Sequence, residues 1–385
     1  MFLSDISGAF DRVKTTKLLA KMRRLGICET LMAFFEDYLA PREAHVAVDG
    51  AQSFVFVLLN MIFQGTVFGP CLWNIFFADV HGPAEQNGAK ERRFADDLSC
   101  SKEFAGTVAN EDVLTDMRRS QGDIHAWGRR NQVAFDPLKE EFAILAASGG
   151  EAQSFRLLGP VLDEKLLMHE CIEKLYRKAK PKARALLRCR RFYSVKDMLV
   201  LFKAHVRSQI EWCNGAIFHA APSLLERLDS VQTSFLRQLD LDERQAFLDH
   251  NLAPFKLRRD IGMLGVFYKI CHGAAHPDFM ELFPRLPVSV THGHDTRAMR
   301  RRHDLQLVDR CDGTQLCQFQ RSLFGLVKVW NALPSAFVHA ESVSAFQAKL
   351  NKASKYACSA GGVGWQNMYA TAALPFSLLI KYCFD

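Results

Sequence analysis

The stretch RRFADDLSC, residues 92–100, decides how the first half of this chain is interpreted. It is short and bounded by polar residues, and this pattern predicts two strands joined by a turn with Asp96 and Asp97 at its tip. Far upstream, Asp5 closes another short apolar run. Acidic side chains at the ends of neighbouring strands repel one another unless a divalent cation offsets their charge. These acids are candidates for a Mg²⁺ site of the kind used in phosphoryl transfer, although Asp-Asp pairs are also common in solvated turns.

Periodic apolar residues predict the elements around Asp5. Residues 13–25 carry apolar side chains at helical spacing, and Gly26 follows at a position typical of a helix end. Asp11, just before this segment, is interpreted as the cap of the helix. Residues 44–60 alternate and then become continuously apolar, which predicts two strands joined by a hairpin turn at Asp49-Gly50.

The pattern continues with more helix than strand. A second helix is expected from Gly69, and another ends near Arg130. Residues 141–146 read as a strand, and the Ser-Gly-Gly at 148–150 is the best candidate for a domain boundary in the first half. Beyond Leu162 the chain is predicted to be helical for most of its length.

Three blocks of sequence carry a resemblance to a known family. DISGAFD, QGTVFGP and FADD follow one another at residues 5–11, 64–70 and 94–97. Their order resembles that of the sequence blocks in reverse transcriptases of non-LTR, jockey-like retrotransposons. Further text similar to this family is YLAPR, HVAVDG, NQVAFDPLKEE and FRLLGPVLD, at residues 38–42, 45–50, 131–141 and 155–163.

The resemblance implies an α+β fold, with a partial polymerase palm of antiparallel sheet and helices followed by a mostly helical thumb and C-terminal region. The expected domains are a palm, a primer grip with thumb, a helical C-terminal region and a tail of unknown role, at residues 1–150, 151–240, 241–356 and 357–385. The family's fingers precede the first catalytic aspartate. Only four residues precede Asp5 here, so an N-terminally truncated polymerase without fingers is expected. Two departures from the family pattern are Phe63, in place of a proline, and Pro160 after the primer-grip Leu-Gly.

Carried over residue by residue, the resemblance implies a two-metal site. The side chains of Asp5, Asp96 and Asp97 and the backbone carbonyl of Ile6 would hold two Mg²⁺ ions. The catalytic set would comprise these three aspartates and Lys139, a lysine placed to aid the departure of pyrophosphate. Lys139 is also one exposed lysine among many.

Substrate-binding roles follow from the same comparison. Phe10 falls on the family's steric gate, where a ring lies under the sugar and excludes a 2′-hydroxyl, so deoxynucleotides would be selected. Without the block around it, Phe10 could equally be a core residue. Gln64 and Gly65 match residues that pack against the incoming nucleotide and the template.

The densest positive segment lies in residues 170–210, where lysines and arginines far outnumber acids. Apolar residues interleave with these charges, so amphipathic helices are expected to pack on one side and meet phosphates on the other. A charge run alone is more often a solvated face. Its place after the palm resembles that of the family's thumb, which implies nucleic-acid binding by Lys182, Arg184, Arg188, Arg190 and Arg191.

Composition limits the class of protein. The chain has 385 residues, of which 49% are apolar and 24% charged, with a net charge of +7, as in ordinary globular proteins. Its 11 cysteines show no CxxC pair, which indicates free thiols in a reducing compartment, the nucleus or cytoplasm. No apolar run is long enough for a bilayer, so no membrane association is expected. His292, His294, His303, Cys311 and Cys317 match no zinc-finger spacing.

Two functions remain open at this level. The first is an RNA-directed DNA polymerase fragment of a mobile element, with an RNA template, a DNA primer and dNTPs as partners. The second is a catalytically inactive nucleic-acid-binding remnant that uses the basic helices alone. An unfolded pseudogene product is a third interpretation, since a palm without fingers would expose apolar surface. Oligomeric state has no signal in the sequence.

Overall fold

The computed structural model describes residues 1–60, 62–80, 82, 85, 87–145, 154–287, 303–311 and 317–370. The chain divides into two compact units, the first formed by Met1–Gly159 with Asp163–Lys165 and the second by Pro160–Leu162 with Leu166–Asp385. The boundary predicted at residues 148–150 lies outside the described residues.

The first unit combines helices with small antiparallel sheets. Its helices are α1 (Thr15–Arg24), α2 (Glu29–Tyr38), α3 (Gly69–Phe77) and α4 (Asn110–Asn131). Its strands are β1 (Phe2–Asp5), β2 (Arg42–Ala44), β3 (Ala47–Val48), β4 (Ala51–Gln52), β5 (Phe56–Leu58), β6 (Lys90–Phe94), β7 (Asp97–Ser101), β8 (Glu141–Phe142) and β9 (Ser154–Arg156), and β10 (Val161–Asp163) follows near the division of the chain. Single 3₁₀ turns occur at Phe10–Arg12 and Ala78–Val80.

The central sheet of this unit has the order β6-β7-β1-β8, with every neighbouring pair antiparallel. Side chains alternate between the two faces of such a sheet. Phe2, Leu98 and Cys100 are buried on one face, where apolar side chains of α1, α3 and α4 join the same core. Phe94 and Asp97 are directly opposite one another and share the other, more exposed face. The sheet is therefore covered on one side and open at the end where Asp97 lies.

Polar contacts inside the core tie α1, α3 and α4 together. The buried Lys21 ammonium donates to the Phe76 carbonyl at 2.6 Å and to Asp79 at 2.7 Å. The Trp127 indole N–H donates to the same Asp79 carboxylate at 2.9 Å. Burial lowers the pKa of Lys21, and the partner carboxylate opposes that effect. A charged group in this core is thus tolerated because it is fully paired.

The predicted helix over residues 13–25 is confirmed as α1, but the predicted role of Asp11 is wrong. Lys14 is the residue at the N-cap of α1, and no side chain caps this helix end. Asp11 lies instead in the preceding 3₁₀ turn, where its backbone N–H donates to the Gly8 carbonyl at 3.1 Å. Val13 and Lys14, both with extended backbone, separate the 3₁₀ turn from α1.

The hairpin predicted around Asp49-Gly50 is also confirmed. Both residues have positive φ, 50° and 82°, as a primed two-residue turn requires, and glycine adopts this conformation without steric cost. β3 pairs with β4 across this turn, and β2 pairs with β5 further out. Helix α2 was not predicted, because Met32 is its single buried residue and its N-terminus has no capping side chain.

The second unit is helical, as predicted for the chain beyond Leu162. Its helices are α5 (His169–Arg188), α6 (Val195–Phe202), α7 (Ser208–Glu211), α8 (Asn214–Ile217), α9 (Pro222–Arg237), α10 (Glu243–His250), α11 (Phe255–Cys271), α12 (Asp278–Leu282), α13 (Cys317–Arg321), α14 (Leu323–Ala332), α15 (Ser335–Val338) and α16 (Val343–Ser359). A π-helical turn occupies Lys203–Arg207, and 3₁₀ turns occupy Arg190–Phe192 and Trp365–Asn367. Within the described residues, no helix has the length and apolar character needed to cross a bilayer.

Two apolar clusters stabilise this unit. One joins α5, α6 and α9, with the rings of Phe202 and Phe235 4.5 Å apart at its centre. The other joins α11, α14 and α16 around the buried Trp330 and Phe346. Burial of such apolar surface is the main favourable term in the folding free energy.

The segment after residue 356 continues this second cluster. Helix α16 runs through the predicted boundary at 356/357 to Ser359, and Trp365 then stacks on Phe247 with ring centroids 5.2 Å apart. The Tyr369 hydroxyl donates to the Leu350 carbonyl at 2.9 Å. The described part of the predicted tail is thus packed into the core, and residues 371–385 lie outside the described residues.

A buried acid in α11 gives the fold a testable pH dependence. Asp260 is 6% exposed, and its Oδ2 has no hydrogen-bond partner among the described residues. Burial raises the pKa of Asp260 to about 7, against roughly 4 in an unfolded chain. Between these values the folded state binds more protons, so the free energy of unfolding falls as pH rises through this window.

We therefore expect Asp260→Asn to raise the free energy of unfolding at pH 8 by about 2 kcal/mol, since a neutral amide is less costly to bury than a carboxylate. The variant should also show a flatter stability profile between about pH 4 and pH 7 than the wild type. Urea unfolding at several pH values measures both effects. Asp249→Asn, an exposed change on α10, is the matched control and should shift stability by less than about 0.5 kcal/mol. A wild-type stability that rises across the window would contradict the assignment.

Candidate active site

The acids predicted at the sheet end lie on adjacent strands in direct register. β1 ends at Asp5, β7 begins at Asp97, and these two residues are paired across the ladder. Directly opposite residues in an antiparallel pair have their Cβ atoms about 4.5–5.5 Å apart. Burial raises the pKa of Asp97, and the negative charges of Asp5 and Asp96 raise it further, whereas Lys139 opposes this effect. The sheet thus brings like charges together at one end of its two central strands, and their repulsion costs free energy.

The turn between β6 and β7 holds the third acid, Asp96, and we refer to Asp5, Asp96 and Asp97 as the acid cluster. Phe94 and Asp97 form the last pair of the hairpin, which leaves Ala95 and Asp96 as its two-residue turn. The predicted strand-turn-strand is therefore confirmed, with Asp97 as the first strand residue after the tip. Ala95 has a φ of 55°, in the left-handed region that a residue with a Cβ adopts only at a cost. Its carbonyl accepts a hydrogen bond of 2.7 Å from the indole N–H of Trp73.

The Ile6 carbonyl lies on the opposite side of the chain from residues 134–136. The backbone groups of Asp5 and Ser7 bond to the segment 134–136 at 3.0 Å each, so they occupy one side of the chain. Successive residues of an extended strand direct their backbone groups to alternate sides. The N–H and C=O groups of Ile6 therefore face the β7 side, just beyond the last β1–β7 pair.

Lys139 contacts the same site through Asp5. Its ammonium forms an ion pair with Asp5 Oδ2, while 59% of the lysine side chain and 13% of the aspartate side chain remain exposed. The hydrogen bond and charge of Asp5 raise the pKa of Lys139, with smaller contributions from Asp136 and Asp96. Lys139 is therefore a largely exposed, charged group that pairs with one of the acids.

Phe10 lies beside the chain that leads into the QG block, QGTVFGP at residues 64–70. Its carbonyl accepts from the Ile62 N–H at 2.9 Å, which brings the chain that precedes Gln64 alongside it. The Phe10 ring stacks on Trp73 with centroids 5.6 Å apart, and a Cβ added to Gly69 would lie 3.4 Å from the ring. The ring is only partly buried.

Gln64 and Gly65 form an exposed turn at the start of the QG block. Gly65 has a φ of 79°, which favours glycine, and no atom lies within 4 Å of the position that its Cβ would occupy. Phe63, which departs from the family pattern, is held below the Arg42 guanidinium at 4.2 Å from its ring centroid. An aromatic residue at 63 thus has its own contact in this structure.

The donor set fits a hard divalent cation, because carboxylates and a backbone carbonyl are the ligands that Mg²⁺ prefers. Opposed acids at Asp5 and Asp97, with the Ile6 carbonyl on the β7 side of the chain, supply such oxygens. Among the described residues, however, no three His, Cys, Asp or Glu side chains converge closely enough to form a ready-made metal site. Asp5 is bound by Lys139 instead, so the ammonium would have to move for Asp5 to act as a ligand.

The described residues give no support to a zinc site at the histidines and cysteines of the C-terminal half. His292 and His294 lie outside the described residues. Nε2 of the buried His303 contacts the Trp330 carbonyl at 3.0 Å, and Cys311 Sγ lies 3.8 Å from the Phe319 carbonyl. These groups are occupied by backbone contacts.

The predicted nucleic-acid-binding residues belong to the second unit and form a separate feature. Lys182, Arg184 and Arg188 lie on α5, and Arg190 and Arg191 lie in the 3₁₀ turn that follows it. All five are exposed, and none forms an ion pair with an acid of the described residues. The opposite face of α5 is buried in the apolar cluster. We refer to the five exposed residues as the basic face.

Comparisons with known proteins identify sequences similar to parts of this chain. Residues 1–162 match the model of the family described as reverse transcriptase (RNA-dependent DNA polymerase). The RNA-directed DNA polymerase from mobile element jockey of Drosophila funebris is 25% identical over 253 residues, which are 61% of this chain and 28% of that protein. The protein of the same name from Drosophila melanogaster is 37% identical over 84 residues, 21% of this chain and 9% of that protein.

The chain therefore spans less than a third of the length of either relative. The matched segment contains β1, the β6–β7 turn and Lys139, and so every residue of the acid cluster. Residues 1–162 thus match the reverse transcriptase family, and the chain resembles the RNA-directed DNA polymerases of jockey mobile elements.

Proposed function

We propose that the first unit acts as the palm of an RNA-directed DNA polymerase and joins dNTPs to a DNA primer on an RNA template. The observation that carries this proposal is the register of Asp5 opposite Asp97, with Asp96 in the adjoining turn. In the reaction, the primer 3′-oxygen bonds to the α-phosphorus of the dNTP, the bond from that phosphorus to the bridging oxygen breaks, and pyrophosphate leaves. Two Mg²⁺ ions, when bound by Asp5, Asp96, Asp97 and the Ile6 carbonyl, would activate the 3′-hydroxyl and offset charge on the leaving group.

The remaining site residues act on the nucleotide. The Phe10 ring lies under the sugar and excludes a 2′-hydroxyl, supported from behind by its stacking on Trp73. Gln64 and Gly65 form an exposed turn that a base pair can approach closely, because Gly65 presents no side chain. Lys139 is an ammonium that pairs with Asp5 in this structure, so it can bind the departing pyrophosphate once it leaves Asp5.

In this scheme the second unit supplies the thumb and the helical C-terminal region. The described cysteines are free thiols, which is compatible with the nucleus or cytoplasm as the place of action. Primer extension by the purified full chain on an RNA template, with dNTPs and Mg²⁺, tests the proposal. Extension no faster than that of an Asp96→Asn variant would contradict it.

A second candidate function is nucleic-acid binding without chemistry, and the basic face favours it. Next to this face, a groove of about 500 Å³ between α5 and α9 is lined by Lys180, Arg184 and Arg237, and none of the residues that line it is acidic. Cations without acidic partners attract the phosphate backbone and release its counterions. The two candidate functions differ in their need for the acid cluster: primer extension requires it, whereas nucleic-acid binding alone does not.

We expect the triple variant Arg188→Gln, Arg190→Gln, Arg191→Gln to weaken binding to an RNA–DNA hybrid and to reduce the slope of log K against log salt by about 2–3. Fluorescence anisotropy at several salt concentrations measures both quantities. The matched control is Lys174→Gln with Arg177→Gln, because these cations lie on the same helix but pair with Glu170 and Glu173. An unchanged slope in the triple variant would exclude the basic face as the binding surface. Affinity unaffected by Asp96→Asn is expected in either case.

A further inference from the structure

Trp73 connects two parts of the candidate active site that are far apart in sequence. It lies on α3, is 1% exposed, and its indole N–H donates to the Ala95 carbonyl at 2.7 Å. One side of the indole stacks on Phe10 at 5.6 Å, and Phe77 packs against it at 5.2 Å. The ring is held in a fixed orientation by these contacts, so its N–H has a fixed direction.

The carbonyl that accepts this bond belongs to the peptide unit of Asp96. A peptide is planar, so the direction of the Ala95 C=O sets the direction of the Asp96 N–H and limits where the Asp96 side chain can point. The conformation is also costly, because Ala95 has a φ of 55° at a position where a primed turn normally has glycine. A turn of this kind persists only if surrounding contacts stabilise it.

We propose that Trp73 is a positioning residue for the acid cluster: its N–H holds the Ala95–Asp96 peptide in the orientation that presents Asp96 to a divalent cation. This inference rests on the proposed function, since it assumes that Asp96 is a metal ligand. Trp73 does not touch the nucleotide or the metal in this scheme, and its effect on metal binding acts through the turn.

A purely structural role for Trp73 is the competing explanation, and the chain offers a matched control for it. Trp127 lies in the same apolar cluster, is 2% exposed, and donates its indole N–H to Asp79 at 2.9 Å. Trp73→Phe and Trp127→Phe therefore make the same chemical change at two similarly buried sites. Only Trp73→Phe removes a hydrogen bond to the turn between β6 and β7.

The experiment measures Mn²⁺ affinity by electron paramagnetic resonance on the full chain without nucleic acid or nucleotide. We expect Trp73→Phe to weaken Mn²⁺ binding about tenfold, as for the loss of one buried hydrogen bond. Trp127→Phe should stay within about twofold of the wild type, although both variants lose some thermal stability. Equal affinities for the two variants would overturn the proposal. A wild type that binds Mn²⁺ no better than Asp96→Asn would overturn the proposed function together with this inference.

A second variant separates positioning from packing. Glycine adopts a positive φ without steric cost, so Ala95→Gly should favour the native turn even when the N–H donor is gone. We expect the double variant Trp73→Phe, Ala95→Gly to recover about half or more of the lost affinity on a logarithmic scale. A packing defect around Trp73 would not respond to a change at the turn. No recovery would show that the turn conformation is not what Trp73 controls.

Discussion

Replacing Asp96 by asparagine is expected to lower the rate of RNA-templated primer extension by about a thousandfold or more. An acid that holds a catalytic cation contributes several kcal/mol to transition-state stabilisation, and each 1.36 kcal/mol corresponds to a factor of ten. Asparagine has nearly the same size but lacks the charge that balances a cation. Asp96 lies in a partly exposed turn outside the apolar core, so the folded structure should persist. Single-nucleotide extension rates at saturating dNTP and Mg²⁺ provide the measurement.

The control for this prediction is Asp116→Asn. Asp116 lies on α4 in the same unit and forms an ion pair of 2.6 Å with Lys102, away from the acid cluster. Loss of a partly exposed ion pair costs about 0.2–1 kcal/mol of stability and should leave the extension rate close to that of the wild type. If Asp96→Asn extends the primer as fast as Asp116→Asn, the acid cluster is not the catalytic centre.

The second large effect is expected at Phe10. Phe10→Val should raise the relative use of ribonucleotides by about 10- to 100-fold, the range that a missing apolar contact gives in substrate discrimination. The smaller side chain opens space where the ring of Phe10 would meet a 2′-hydroxyl. The ratio of kcat/KM for a dNTP to that for the matching rNTP is the quantity to measure. The rate with dNTPs should fall much less than this ratio.

Phe142→Val is the matched control for Phe10. Phe142 is also partly buried, and its ring contacts Phe2 at 5.1 Å, at the end of β1 opposite to Asp5. It should lower stability by a similar amount and leave the selectivity ratio unchanged. A ratio unchanged in Phe10→Val as well would mean that another group excludes the 2′-hydroxyl.

Much of the acid cluster follows from sequence because its geometry depends on local patterns. A short apolar run that ends in an acid, and a two-residue turn with acids at its tip, are each visible over a few residues. Antiparallel pairing then aligns Asp5 with Asp97, and the order of the sequence blocks matches that alignment. The roles of these residues in catalysis remain proposals that the Asp96 experiment tests.

The parts that sequence reasoning missed are contacts made by groups without a sequence signature. The Trp73 indole N–H donates to a backbone carbonyl 22 positions away. Because every residue has a carbonyl, the sequence does not indicate which one accepts this bond. The prediction for Lys139 concerned its role with pyrophosphate, whereas its ion pair with Asp5, 134 positions away, depends on the sheet bringing both ends together. The error at Asp11 has a related cause: the extended residues Val13 and Lys14 separate this acid from the start of α1, and Lys14 takes the N-cap position.

In the second unit as well, periodic helices are predictable from sequence, whereas contacts between distant segments are not. The amphipathic character of α5 is readable because its buried and basic residues alternate at helical spacing. The packing of Trp365 on Phe247 is not readable, because it depends on tertiary contacts between distant segments. Apolar residues in short segments without periodicity carry little information about where they are buried.

The register of β1 against β7 also bears on how this sequence can change over evolutionary time. Shifting either strand by one residue would turn Asp5 or Asp97 toward the apolar core and bring core residues into solvent. An insertion or deletion within these strands would therefore damage folding and the acid cluster in a single event, whereas point substitutions on the open face would alter only one of them. In related sequences, we expect length changes to be rare in these two strands for as long as selection retains either the fold or the chemistry. The first frameshift-free length change in β1 or β7 would then mark the loss of both.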